Sequence, residues 1–425
     1  MKIKLVLVSL FLIVSGKLFS QVEYGKSVVK VLASDKFAGR GYVFNGDKKA
    51  ASFVTQEMKK SGLQPLGNSF EQPFDLAANI FPKTAKISMD NNPLKMGKDV
   101  LIDATSPSIK GTFDIVPAEL PSADLADLKK MQTDAQFKNK IIFIDEANHI
   151  KKITADGYRK SLAFLMTEGN YAAILVKTKQ KFTWRGATLQ NKIPVIYIQE
   201  SVYDLLKQPH HITLDITAKF QPAYQSQNVC GFLKGTSNSD STIVVTAHYD
   251  HIGSIGKKVI FNGANDNASG TAMMLYLANY YGKNKPKYNM IFLAFSGEES
   301  GLLGSKFYVN NPLNNLSKIK FLLNLDMAGT GDDGIQVVNG TEFKKEFELL
   351  QRINAEKGYL PKVLVRGPMN RSDHFPFYEK GVPCFFIYTL GGIAAYHDIF
   401  DRYETLPFTK FNGYANLLIQ FLSQL

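Results

Sequence analysis

VVTAHYDHIG (244–253), GANDNASG (263–270) and IFLAFSGEE (291–299) decide the fold. Two apolar runs there, Ile243-Val244-Val245 and Ile291-Phe292-Leu293, each lead into groups that bind metals. His248 and Asp250 follow the first, Glu298 and Glu299 the second. Between them Asp266 lies in a Gly/Asn-rich turn, and a helical pattern follows over 268–281. Its stripe of Met273, Met274, Leu277 and Tyr281 reads as core packing. Downstream, FLLNLDM (321–327) places Asp326 after a third run, and CFFIYTLGGIAAYHD (384–398) carries His397 beyond a fourth. Continuous apolar runs are strands buried on both faces. Their alternation with helices, including 343–357 and 408–425, predicts an α/β fold: a mixed, mostly parallel central sheet flanked by helices. Ligands of such sheets bind beyond the carboxyl ends of the strands. All five candidate segments fall there.

Two imidazoles and three carboxylates, His248, Asp266, Glu299, Asp326 and His397, suit a pair of Zn²⁺ ions, which take nitrogen and oxygen donors in about fourfold geometry. A carboxylate shared between two such ions is a recurring device, and Asp266 in its tight turn is the natural bridge. Glu298 and Glu299 are adjacent and point differently, so one can bind metal while the other serves as general base. Asp250, two residues after His248, and Asp401, four after His397, are placed to accept from the ring nitrogens that do not bind metal. His251 reads as a hydrogen-bonding neighbour. His374 in RSDHFPF either lines the pocket or positions Asp373.

The rest of the chain frames this region. Lys2 and Lys4 precede an apolar segment, 5–14, too short to span a bilayer, so residues 1–20 read as a signal peptide. An N-terminal anchor is the competing reading; no later stretch reads as membrane-spanning. The formal net charge of +12 includes Lys2, Lys4 and Lys17, and removing those three leaves +9. No basic block accompanies it, which argues against a nucleic-acid partner. Residues 21–85 form an N-terminal part of the main domain. There Asp47 is placed to cap a helix with Ala50, Ala51, Phe53, Val54 and Met58 on one side, ending near Gly62. Arg40, in FAGR, reads as solvated or salt-bridged. Residues 86–214 differ. The β-type runs 141–146, 172–178 and 193–200, with a helical pattern at 153–166, predict a small α/β or open-barrel insert. His149 there reads as isolated and surface-like, and His210-His211 as a solvated turn. Residues 215–425 form the core. Cys230 and Cys384 lie in apolar runs, as a disulfide or as buried thiols on neighbouring strands.

AHYDHIG, GANDNASG, FSGEESGLLGS, NLDM, SDHFPF and YHDIFD, in this order, resemble the two-zinc aminopeptidases of metallopeptidase clan MH. FAGR and the 86–214 unit resemble members with a protease-associated insert. The resemblance implies one zinc on His248, Asp266 and Asp326 and another on Asp266, Glu299 and His397. It implies Glu298 as general base and proton donor, and a cis peptide at Asp266-Asn267. Some members carry an oxyanion-stabilising Tyr shortly before the SDH motif. Here that stretch, 366–371, has none, which leaves Arg371, a backbone N–H or the zinc as the donor. The implied activity is hydrolysis of N-terminal residues from peptides by an exported enzyme. The alternatives are a carboxypeptidase using Arg366, Arg371 or Arg402 for the terminal carboxylate, a one-zinc glutaminyl cyclase, and a non-catalytic receptor on the same fold.

Overall fold

The computed structural model describes residues 21–120 and 124–425. The segment expected as a signal peptide lies outside them. Among the described residues, no helix is long and apolar enough to cross a membrane.

A nine-stranded sheet organises the main unit. We label its strands β1 (Glu71–Ile80), β2 (Lys219–Leu233), β3 (Thr242–His248), β4 (Asn289–Phe295), β5 (Ile319–Asp326), β6 (Gly334–Val338), β7 (Val363–Val365) and β8 (Cys384–Leu390). The order is β2-β4-β3-β5-β8-β6-β7, with β1 and the two-residue strand Gln64–Pro65 on β2. The four central strands β4, β3, β5 and β8 run parallel, and antiparallel pairing begins on both flanks.

Side chains of a strand alternate between faces, and here both faces are covered. Ile243, Val245 and Ala247 of β3 join Phe292 of β4 and Leu323 of β5 under helices α1 (Gly46–Lys60), α2 (Gly270–Lys283), α3 (Lys344–Lys357) and α4 (Phe411–Gln424). Val244, Ile291, Leu293 and Leu322 point the other way, against Tyr308 and Phe377. This double burial is why the central strands read as unbroken apolar runs.

Helix α1 buries Ala50, Ala51, Val54 and Met58 as its spacing predicts, and Gly62 at φ 80° lies just past its end. Asp47 is not its cap. Asn45 holds the N-cap position, and the buried Asp47 carboxylate accepts from Tyr224 and Ser226 on β2. Cys230 and Cys384 are free and buried. They are not on neighbouring strands, since β4, β3 and β5 separate β2 from β8.

A second sheet of eight strands spans Lys86–Met89 to His211–Ile216. Its middle strands, Ile109–Pro117, Ile141–Asp145, Ala173–Thr178 and Val195–Gln199, run parallel. The helix over 153–166 begins earlier, at Glu146, and breaks at Thr154. His149 is not on the surface. It is buried, its Nε2 accepts from the Leu120 N–H at 2.8 Å, and its Nδ1 lies 2.6 Å from the Asp145 carbonyl oxygen. The two sheets share one apolar cluster, in which Phe81, Ile252, Ile255 and Phe261 pack with Ile102, Trp184 and Ile196.

Candidate metal centre

The carboxyl ends of the central strands converge on one cluster. Strand β3 ends at His248 and β5 at Asp326; β4 runs through Gly297 at φ 74° into Glu298 and Glu299. His397 arrives on the loop after β8. Asp266 sits between β3 and α2, and its peptide bond to Asn267 is cis.

That turn is held by its own polar residues. The Asn267 side chain donates to the Leu325 carbonyl oxygen and accepts from the N–H groups of Gly270 and Met327. Asn265 accepts from Gly329 N–H. Gly263, at φ 58°, admits no side chain, because a Cβ would lie 2.2 Å from the Asp266 carbonyl oxygen.

Arg40 holds the same turn from the N-terminal segment. It is neither solvated nor salt-bridged. Fully buried, it donates to the carbonyl oxygens of Leu32, Tyr249, Asn262, Gly263 and Asp266 at 2.6–3.2 Å. Burial lowers its pKa to about 10, against the pull of Asp401 and Asp266, so it stays charged at neutral pH.

The donor atoms form two groups that meet at Asp266. On one side, His248 Nε2 lies 3.4 Å from Asp266 Oδ1 and 3.5 Å from Asp326 Oδ2. On the other, His397 Nε2 lies 3.0 Å from Asp266 Oδ2 and 3.1 Å from Glu299 Oε2. A tetrahedral zinc with bonds near 2.0–2.1 Å spaces its ligands by roughly 3.3 Å, so both groups fit such an ion. Asp326 Oδ1 is buried with no hydrogen-bond partner, a second mark of a place that calls for a cation.

The charges agree. Burial opposes protonation of His248 and His397. Glu298 and Asp326 nevertheless hold the first well above the usual imidazole range, and Glu299 with Asp266 lifts the second to about 11. Burial, reinforced by Glu299, Asp373 and Asp326, pushes Glu298 well above the usual carboxylate range. Bound divalent cations would supply the positive charge these carboxylates otherwise draw from the imidazoles.

The supporting residues differ from the sequence reading in several places. His248 Nδ1 is nearer the Asp250 carbonyl oxygen, at 3.2 Å, than its carboxylate, at 3.6 Å. That carboxylate also accepts from the Glu298 N–H at 3.4 Å, tying two strand ends together. Asp401 does not support His397. It accepts from the N–H groups of Asn265 and Asp266 and so braces the shared carboxylate. The partner of His397 Nδ1 is the carbonyl oxygen of Trp184, at 3.0 Å. His251 hydrogen-bonds Glu299 through Nδ1 at 2.6 Å. His374 is buried and stacks on Phe386, and burial drops its pKa to about 3. Arg371 is exposed on the loop before Ser372.

Sequence reasoning missed Tyr396. Its ring stacks on His397 with centroids 4.1 Å apart. Its side chain is partly exposed, yet desolvation of the hydroxyl, then Asp266, Glu299, Asp326 and Glu298, disfavours loss of its proton, so it is a neutral donor on the His397 loop.

The pattern of peptidase family M28 matches residues 228–422. Aminopeptidase YwaD of Bacillus subtilis (strain 168) is 30% identical over 345 residues, covering 79% of this chain and 69% of the relative. The chain belongs to peptidase family M28. Among solved structures, the zinc aminopeptidase BSAP from Bacillus subtilis superposes with a TM-score of 0.67 at 22% identity, over 95% of each chain. The aminopeptidase from Aneurinibacillus sp. strain AM-1 gives 0.63 at 22% identity, over 95% of this chain and 93% of its own. At such identities these two speak for the fold, and the coverage takes in this M28 chain's second sheet.

Proposed function

We propose that this M28 member is an exported aminopeptidase that uses two zinc ions to remove N-terminal residues from peptides. One observation carries the reading: Asp266 turns one carboxylate oxygen toward His248 and Asp326 and the other toward His397 and Glu299. The zinc aminopeptidase relatives support the substrate class. The lysine-led apolar segment at 5–14 supports export.

Zinc in this position acidifies water and polarises a carbonyl. The protein groups do the rest. Glu298, with its raised proton affinity, takes a proton from the attacking water as the new C–O bond forms. The same proton then passes to the amine nitrogen as the C–N bond breaks. Tyr396 donates to the substrate oxygen where negative charge develops. His251 and Trp184 hold Glu299 and His397 in orientation.

The test uses the protein without residues 1–20 on free and N-acetylated peptides, with and without chelator. Chelator-sensitive release of the first residue only from free N-termini is expected. Release of C-terminal residues from the blocked peptides would assign a carboxypeptidase, and no cleavage by zinc-loaded protein would favour the binding-protein reading.

A further inference from the structure

We infer that the second sheet completes the metal centre: the strap that leaves its Ala173–Thr178 strand positions His397, and Trp184 and Lys181 are the positioning residues. The inference rests on the two-zinc reading above. His397 sits on a loop and has φ 51°, a backbone conformation that side-chain-bearing residues rarely take unsupported. Among the described residues its own loop gives its ring the stacked Tyr396 but no hydrogen-bond partner. The strap offers two contacts.

The Trp184 N–H donates to the His397 carbonyl oxygen at 2.8 Å. The Trp184 carbonyl oxygen faces His397 Nδ1 at 3.0 Å. A carbonyl only accepts, so the pair places the proton on Nδ1. Nε2 is then left with its lone pair toward Asp266 and Glu299, the form in which imidazole binds a metal.

Trp184 is itself locked in place. Its indole N–H donates to the Ile102 carbonyl oxygen at 2.8 Å, inside the second sheet. Its ring stacks on Phe261 with centroids 4.8 Å apart and planes 14° apart. Phe261 stands just before the turn that carries Asp266, so the indole ties the second sheet to that turn as well.

Lys181 grips the other side of the loop. Its Nζ donates to the Ala394 carbonyl oxygen at 2.6 Å and pairs with Asp398 at 2.5 Å. Asp398 in turn accepts from the N–H groups of Phe400 and Asp401. Asp401 is the residue that braces Asp266. Further along, the strap passes over the other ligand of the same group: a Cβ on Gly186 would lie 3.2 Å from Ser300 Oγ and 3.6 Å from the Glu299 carbonyl oxygen. The strap therefore lies against both His397 and Glu299. Among the described residues, His248 and Asp326 meet partners in the main unit instead, the Asp250 carbonyl oxygen and the Ser372 hydroxyl.

The strap lies directly against His397 and Glu299 and reaches the shared Asp266 only through Asp398, Asp401 and Phe261, so it should act far more on the His397–Glu299 position than on the other. The test is a competitive chelator titration that counts zinc per chain in the wild type, Trp184→Ala and Lys181→Met, with melting curves as the fold control. The wild type is expected to bind two zincs. Each variant should bind the zinc held by His397 and Glu299 about 10- to 100-fold more weakly, the usual effect of removing support behind a ligand, and change the affinity of the other far less. A loss of general packing would not single out one site. Equal weakening of both sites, or no weakening of either, overturns the inference. A wild type that binds fewer than two zincs overturns the two-zinc reading and the inference with it, so the wild-type count separates the two failures. Should Trp184→Ala not fold, Lys181→Met decides, because Lys181 is 48% exposed and its replacement empties no core.

Discussion

Glu298 and Glu299 are neighbours in the chain with opposite preferences for a proton. Burial raises the proton affinity of both. His397 and His251 reverse this at Glu299 and hold it well below the usual carboxylate range, while Glu299, Asp373 and Asp326 push Glu298 further up. Two adjacent carboxyls driven apart are the mark of a ligand beside an acid–base group. Glu298→Gln should keep both zincs by direct metal analysis and lower kcat by about 10²- to 10⁴-fold. A variant that turns over at nearly the wild-type rate would remove Glu298 from the mechanism. Much of this was legible from residues alone, because metal-binding side chains recur at the ends of apolar runs. What single residues hid was their partners. Arg40 looked like an ordinary loop arginine, yet its five bonds go to main-chain carbonyls, four of them more than 200 residues along the chain, and carbonyls leave no mark in a sequence. Asp401 stands at a spacing that suits His397, yet the chain folds it under Asp266.

At the scale of elements, periodicity located the helices and strands of the main sheet to within a few residues, missed the first turns of the insert's helix from Glu146, and placed side-chain duties less well. Helix α1 is the clear case. Its apolar stripe falls where the spacing puts it, while Asp47 leaves the helix end to accept from Tyr224 at 2.6 Å and Ser226 at 2.9 Å on β2. Burial raises its pKa to about 6, against those two hydrogen bonds. An unfolded Asp releases its proton near 3.9. Between those values the folded chain holds a proton that the unfolded chain has lost. Stability from this group is therefore full below about pH 4 and falls as pH rises through 6. Asp47→Asn keeps an acceptor oxygen and removes the charge. Its melting temperature relative to the parent should climb between pH 4 and pH 7, by the equivalent of at most about 3 kcal/mol. Scanning calorimetry at the two pH values checks this, and a constant difference would mean that Asp47 is not a strained charge.

At the scale of the whole molecule, the change in pattern between residues 86 and 214 marked a second unit, but nothing in it showed how firmly that unit is joined to the first. Packing answers that. Phe81, Ile252, Ile255 and Phe261 of the main unit lie in the same apolar cluster as Ile102, Trp184 and Ile196 of the insert. Interfaces between units that move freely are more polar than this. Separating the units would expose those aromatic and aliphatic faces and break the Trp184 contacts to His397. The two sheets should therefore unfold together. The chain has a single tryptophan, Trp184, and it stands at the junction. Its fluorescence reports on the junction alone, while far-UV circular dichroism reports on both sheets. Coincident transitions of independent probes are the signature of one cooperative unit. In urea, with zinc present, the two signals should change at one midpoint. A Trp184 transition at clearly lower urea would instead mean that the second sheet detaches first, as an independently mobile lid.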